Sequence, residues 1–482
     1  MGTPEYDIVI GLEVHAQLLT ASKIYAADAT TYGAPPNANV SVVSLAHPGT
    51  LPKLNKKVVE LAIKMGLACS CEISREQIFD RKNYFYPDLP KGYQLTQDRT
   101  PICVGGNVVI FRGTDTERQV RLNRIHIEED AGKSIHNDHD SDTLIDLNRA
   151  GVPLIEIVTE PNLWSAQEAG AFLIEIRRLV RHLDVCDGNM EQGSLRCDAN
   201  VSIKPKGDKT LGRKVEIKNL NSIKFVQKAI EFEVLRQIGV VNNGGEVISE
   251  TRLFDSEKVR TYAMRTKEEL NDYRYFPDPD LSPLRISEDW LDAIKAEMPA
   301  LPWEIKQKLI NQYQLSEYDA AFISESKERV TFFEEVAEKT RSYKGIANWM
   351  MGPIRSHQNI NTELQPLTAK QLADLINLID EEQLSFSSAS DKLFNAVADK
   401  PSLDVRTIST ELGVLLSENG IDVEKLVDEV LRAFPDKVIE YKSSKKGKAL
   451  LGMFMGELMK KGAGKLNPKE ANQILVAKLN ES

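Results

Sequence analysis

The sequence predicts an α+β protein in which a β-rich first part is followed by a helical remainder. Three observations carry this. Up to about residue 285, short alternating segments recur between turn signals such as Gly105-Gly106, Lys206-Gly207-Asp208 and Asn242-Asn243-Gly244-Gly245. Near Asp278-Pro279-Asp280 to Pro283 the character changes, and thereafter helical apolar spacing repeats between Pro299, Pro302, Pro353, Pro366, Pro401, Pro435 and Pro468. The length of 482 residues suits about three domains, with boundaries expected at 1–290, 291–408 and 409–482.

In a strand, residues two apart share a face, so parity sorts each segment. Asp7 to Leu18 places Ile8, Ile10, Leu12, Val14, Ala16 and Leu18 on a dry face and Glu13, His15 and Gln17 opposite, so Glu13 and His15 project side by side. Val152 to Val158 holds one carboxylate, Glu156, in an otherwise apolar run, where an unpaired charge is costly and calls for a cation. Ser194 to Ile203 buries Leu195, Cys197, Ala199, Val201 and Ile203 and turns Arg196, Asp198 and Asn200 outward. Lys214 to Lys218 repeats the pattern, with Lys214, Glu216 and Lys218 opposite Val215 and Ile217. Helices are expected at Lys56 to Leu67, Ser165 to Leu183 and Ser222 to Gly239, the last capped by Ser222, and Ala166 to His182 has the spacing of one buried face. Beyond the break they are expected at Glu288 to Glu297, Trp303 to Tyr313, Val330 to Thr340, Ala369 to Asp380, Glu424 to Ala433 and Lys446 to Lys461.

Carboxylates and a histidine on neighbouring strands are the donor types that hold Mg2+ against phosphate oxygens. The segment His126-Ile-Glu128-Glu129-Asp130 adds acids beside a histidine, so Glu13, His15, Glu128 or Glu129, Glu156 and Asp198 are candidates. The rival reading of each charged face is a sheet surface that is simply solvated. Gly132-Lys133-Ser134 is no phosphate-binding P-loop, because that pattern needs glycine at position 127, which is isoleucine. Arg81, Lys82 and Lys91 are interleaved with Tyr84, Phe85, Tyr86 and Tyr93, and a related string recurs from Asp272 to Asp280. Such strings bind backbone phosphate and stack on bases, or else pack a loop.

Five scattered cysteines form no secreted disulfide framework. Cys69, Cys71 and Cys103 offer three zinc ligands where a closed site needs four, so zinc is not expected, and Cys186 and Cys197 read as core. No signal-peptide pattern opens the sequence, and no run reaches the roughly 20 apolar residues of a spanning helix, so no membrane and a cytoplasmic location are expected. The net charge of −10 argues against a general nucleic-acid binder. The average hides an asymmetry, however: from Asp436 to Ser482 there are ten lysines and no arginine against five acids.

Seven strings in order, Ile10–Leu18, Phe79–Gln94, His126–Ser134, Asp146–Asn162, Glu191–Ile203, Val215–Ser222 and Asp272–Leu281, resemble the B subunits of tRNA-dependent Asp/Glu amidotransferases. The resemblance extends over most of the chain, including a tail similar to the family's tRNA-binding module. It implies a glutamine-synthetase-like antiparallel β cradle, then an all-helical domain and a small helical tail. It implies ATP and Mg2+ as cofactors, with the side-chain carboxylate of Glu-tRNA(Gln) or Asp-tRNA(Asn) phosphorylated and then attacked by ammonia. By motif, Glu13, His15, Glu128, Glu129, Glu156 and Asp198 would hold the metal or shape its site, Lys82 would lie near the acyl phosphate or the arriving ammonia, and Arg196 would meet phosphate. The chain has no amidase nucleophile of its own, so an amidase A subunit would supply ammonia and a small C subunit would complete a heterotrimer. A tRNA-binding scaffold without chemistry, or a free-standing ligase for a small acid, are the rivals.

Overall fold

The computed structural model describes residues 6–136, 142–264, 273–361, 366–400, 402–416, 423–443, 447–462 and 468–481. Two compact units divide the chain, Met1–Leu301 and Pro302–Ser482.

The principal strands of the first unit are β1 (Tyr6–Gln17), β2 (Asp80–Asn83), β3 (Tyr93–Thr96), β4 (Arg118–Glu129), β5 (Pro153–Thr159), β6 (Leu195–Pro205), β7 (Val215–Leu220), β8 (Thr251–Asp255), β9 (Arg260–Ala263) and β10 (Arg274–Pro277). A ten-stranded sheet runs β9-β8-β7-β6-β1-β5-β4 and continues through Cys103–Val104 to Glu72–Ile73, with Asn107–Ile110 also paired to β4. A separate three-stranded sheet has the order β10-β2-β3. The expectation of an antiparallel sheet needs one correction: β7 and β8 are parallel, with Glu216 opposite Thr251 and Lys218 opposite Leu253. Between them lies α3 (Ile223–Asn242), the kind of crossover a parallel pair requires.

Three helices, α1 (Lys56–Ala68), α2 (Ala166–His182) and α3, cover one face of the large sheet, with α2 packed on α3 and α3 on β6. Toward them point Ile10, Leu12, Val14 and Ala16 of β1, all fully buried, as parity predicts. Each large aliphatic or aromatic side chain buried here, such as Phe172 or Leu173 of α2, is worth about 1.5–3 kcal/mol. Ser165 accepts from the Glu168 N–H to start α2, and Ser222 accepts from the Phe225 N–H to start α3. The opposite face of β1 carries Glu13, His15 and Gln17.

All five cysteines are buried and free. Cys186 and Cys197 lie in the core as expected. At Gly106, with φ of +92°, a Cβ would lie 2.5 Å from the Cys69 carbonyl and 2.6 Å from Cys71 Sγ, so the Gly105-Gly106 turn seals these thiols in. Burial pushes the Cys71 thiol up to about 12 and lifts Cys69 and Cys103 well above the ordinary thiol range.

The second unit is helical. Helices Pro302–Tyr313, Lys327–Ala337, Ala369–Asp380, Val423–Ala433 and Gly447–Lys461 lie where the apolar spacing puts them, and Pro302, Pro435 and Pro468 each occupy a first helical position. Pro353 is a correction, because it separates nothing: a π turn at Met350–Ile354 carries Tyr343–Trp349 directly into Arg355–Asn361 and accommodates the missing donor. Two apolar cores form here, one around Phe333, Trp349, Leu375 and Val397, the other around Val427, Phe454, Leu458 and Leu475.

Candidate active site

Strand register assembles the site. His15 on β1 stands opposite Arg196 on β6 and Glu156 on β5, and Glu156 stands opposite His126 on β4. Four segments thus contribute one row across the sheet. Glu128, two residues beyond His126 on the same face, joins it. His15 Nε2 lies 3.5 Å from Glu128 Oε1 and 3.6 Å from Glu156 Oε2, while His126 Nε2 lies 3.1 Å from Glu156 Oε2 and 3.7 Å from Glu128 Oε2. One ligand atom each from His15, Glu128 and Glu156 falls within 4.8 Å of the others.

Two carboxylates this close and this buried need positive charge. Burial disfavours a charged His126, yet its hydrogen bonds to Glu128 and Glu156 push its pKa up to about 9. Glu156 is held far below the usual carboxylate range: burial opposes this, but His126, then His15 and Lys82, outweigh it. His126 therefore holds a proton more firmly than a free imidazole and offsets part of the carboxylate charge. Two carboxylates and an imidazole converging on one point also fit a divalent cation, which would take over that role.

A second group lies one step along the same face. Glu13 stands opposite Asp198, and Glu216 on β7 stands opposite Asn200. The Asn200 amide donates to Glu13 at 3.0 Å. Lys218 Nζ bridges Asp198 and Glu216, each at 2.9 Å, and Thr251 donates to Glu216 at 2.8 Å. Burial raises the Glu13 pKa, helped by the charges of Glu156 and Glu216.

Arg196 and Lys82 flank these carboxylates. Arg196 Nη2 is 2.9 Å from Asp130 Oδ1, and Asp130 is itself held by Arg149 at 3.2 Å and by the Gln17 amide at 2.8 Å. Lys82 reaches the same side from β2, its ammonium 4.8 Å from the Tyr273 ring centroid. Burial works against its charge, but Glu128 leads the groups that raise its pKa.

Glu129 does not join them. It turns to the other side of β4, pairs with Lys91 and accepts from the Leu95 N–H at 2.8 Å. There it borders a cavity of about 50 Å³ lined by Lys23, Tyr25, Lys91, Tyr93 and Gly151. Of the two, only Glu128 lies beside His15 and Glu156. Residues not singled out as candidates also lie among these side chains, namely His126, Glu216, Lys218 and Asn200. Parity marks each of them, since His126 shares a face with Glu128, and Lys218 with Glu216. What parity lacks is the register that sets them against partners.

Residues 8–292 match the family model described as the GatB/GatE catalytic domain, and residues 331–479 match that described as the GatB domain. The chain belongs to the GatB/GatE family. The B subunit of the aspartyl/glutamyl-tRNA(Asn/Gln) amidotransferase of Ectopseudomonas mendocina is 46% identical over 481 residues, covering 98% of this chain and 99% of the relative. The same subunits of Alkalilimnicola ehrlichii and Bdellovibrio bacteriovorus are each 45% identical and cover 99% of this chain and the whole relative. The resemblance carried by the seven strings is thereby established. Membership of GatB/GatE makes the chain an amidotransferase subunit, a ligase component. The catalytic-domain match spans both carboxylate groups, from Glu13 to Lys218. No helix among the described residues is long and apolar enough to cross a membrane.

Proposed function

We propose that this GatB/GatE chain performs the ATP-dependent step that amidates Glu-tRNA(Gln), Asp-tRNA(Asn) or both. A carboxylate oxygen of the esterified amino acid attacks the γ-phosphorus of ATP, and ADP leaves. Ammonia then attacks the acyl carbon, the bond from that carbon to the phosphoryl oxygen breaks, and the proton lost from nitrogen leaves on inorganic phosphate. The observation that carries this reading is the convergence of His15, Glu128 and Glu156 from three neighbouring strands.

In this scheme His15, Glu128 and Glu156 hold one Mg2+, and Glu13 and Asp198 shape or share its surroundings. Mg2+, when bound, screens the charge of the transferring phosphoryl group. Arg196, steadied by Asp130, presents a guanidinium toward phosphate, and the Lys82 ammonium offsets charge on the acyl phosphate. Glu129, with Lys91, acts on the far side of β4 and shapes the site from behind rather than touching the metal. Ammonia comes from an amidase A subunit, with a small C subunit completing the assembly. The lysine-rich tail serves tRNA phosphate; Lys445 and Lys446, the tail lysines best suited to a substitution test, lie outside the described residues.

The test assembles the chain with amidase and small subunits and supplies ATP, Mg2+ and Glu-tRNA(Gln), omitting each in turn. Substrate-dependent ADP formation is expected, and Glu128→Gln, Glu13→Ala or Asp198→Ala should abolish it. Were those variants to keep amidating while tail lysine substitutions stopped the reaction, the chain would be a tRNA-binding scaffold instead.

A further inference from the structure

Two strings of similar composition, nearly 200 residues apart in the chain, meet in the small sheet. Lys82 stands opposite Tyr275, Arg81 opposite Phe276, and Asn83 opposite Arg274. Alternation then divides the sheet. Arg81 stacks over Tyr93 at 4.4 Å and is tied to Asp278 and Asp280, on the side that faces Glu129. Lys82 is on the other side with Tyr273 and Tyr84, which faces Glu128.

The carboxylate groups have no use for these rings. Tyr84 meets Tyr86 at 5.9 Å and Tyr273 at 5.6 Å, both edge to face, and the Lys82 ammonium lies over the Tyr84 and Tyr273 rings. Phe85 is 86% exposed, Tyr86 63% and Tyr273 46%. Phe85 leans on Gly92, where a Cβ would come within 3.3 Å of its ring. A ledge of rings thus begins beside Lys82, at the rim of the Glu128 cluster, and runs outward into solvent. Exposed aromatics interleaved with cations match the chemistry of an unpaired nucleotide, whose base stacks and whose phosphate seeks positive charge. Lys82 supplies that charge on the ledge side, whereas Arg81 is already spent on Asp278 and Asp280, and Arg274, paired with Asn83, lies on the Arg81 side.

We propose that this ledge stacks the unpaired 3′-terminal nucleotide of the aminoacylated RNA, so that the amino acid esterified to that nucleotide is carried toward Glu128. The inference rests on the function proposed above, and it adds what holds the substrate's end in register with the chemistry. Continuity decides the occupant: the ledge adjoins the cluster that must receive the group attached to that nucleotide.

Binding without turnover tests it. In the complete assembly, affinity is measured for deacylated tRNA and for the same tRNA lacking its terminal nucleotide. The wild type should bind the trimmed RNA about ten-fold more weakly. A Phe85→Ala/Tyr86→Ala double variant should bind both alike, with KM for aminoacyl-tRNA raised about ten-fold and KM for ATP unchanged. Phe85→Tyr/Tyr86→Phe should restore discrimination, since it keeps both rings. Equal affinities in the wild type, or undiminished discrimination in the double variant, overturn the ledge. A shift confined to KM for ATP would assign the rings to the nucleotide cofactor, and loss of the amidase partner on co-purification would assign them to a protein interface; either overturns the proposal. Because affinity is read without catalysis, failure here is distinct from failure of the catalytic reading, which shows as missing ADP formation in the wild type.

Discussion

The sheet unit and the helical unit bury different things. In the first, His126, Glu128, Glu129, Asp130 and Glu233 are all buried; in the second, among the described residues, Asp319 is the only buried acid. Strands bring residues from five distant segments onto one surface, so charges there meet partners contributed by other strands. Helices spend their polar residues locally, on caps such as Ser316, Ser326 and Thr368, and fill the interior with apolar side chains. Long-range pairing thus concentrates charge in the sheet unit, whereas local contacts build an apolar interior in the helical unit.

Substitutions can break that contrast. A large effect is expected for Glu156→Gln, which removes the carboxylate shared by His15 and His126: amidation by the assembled enzyme should fall more than about 100-fold. Activity within ten-fold of wild type would show that the row is structural. Next, Phe333→Ala should cost the helical unit about 3–5 kcal/mol in denaturant unfolding while leaving kcat unchanged wherever the unit stays folded. A fall in kcat at low temperature would mean that the helical core reaches the chemistry. Smaller still, Thr368→Ala removes one side of a capping box and should cost about 1 kcal/mol, read as a lowered melting temperature of the helical unit. The smallest effect is an expected zero. All five thiols are buried in the sheet unit, so a thiol reagent near pH 8 should leave the native protein unlabelled, and labelling should follow unfolding of that unit alone. Rapid labelling of the native protein would refute the closed core.

Much of this was legible in one dimension. Alternation placed Glu13 beside His15 and set Asp198 outward, and the lone Glu156 among apolar neighbours announced a buried partner. Ser222 and the apolar spacing of Ala369–Asp380 located their helices. The pairing was not legible, because nothing local says that His15 stands opposite Glu156, or that Lys218 bridges Asp198 and Glu216. Register depends on the whole sheet packing its dry face at once. The parallel β7–β8 pair escaped for the same reason, and Pro353 escaped because a π turn absorbs a residue that would break a regular helix.

Glu128 and Glu129 are specified by neighbouring codons, yet β4 sends one to the histidines and the other to Lys91. Their inheritance is therefore joined in an unusual way. Either glutamate can be replaced singly, and each loss is felt on only one side of the strand. A deletion of one residue between Val120 and Ile127 would be another matter, because it would exchange the two sides for everything beyond it and lose both arrangements in one event. Along this stretch length should stay fixed in descendants, and the turn at Arg112 to Glu117 is where insertions would be tolerated.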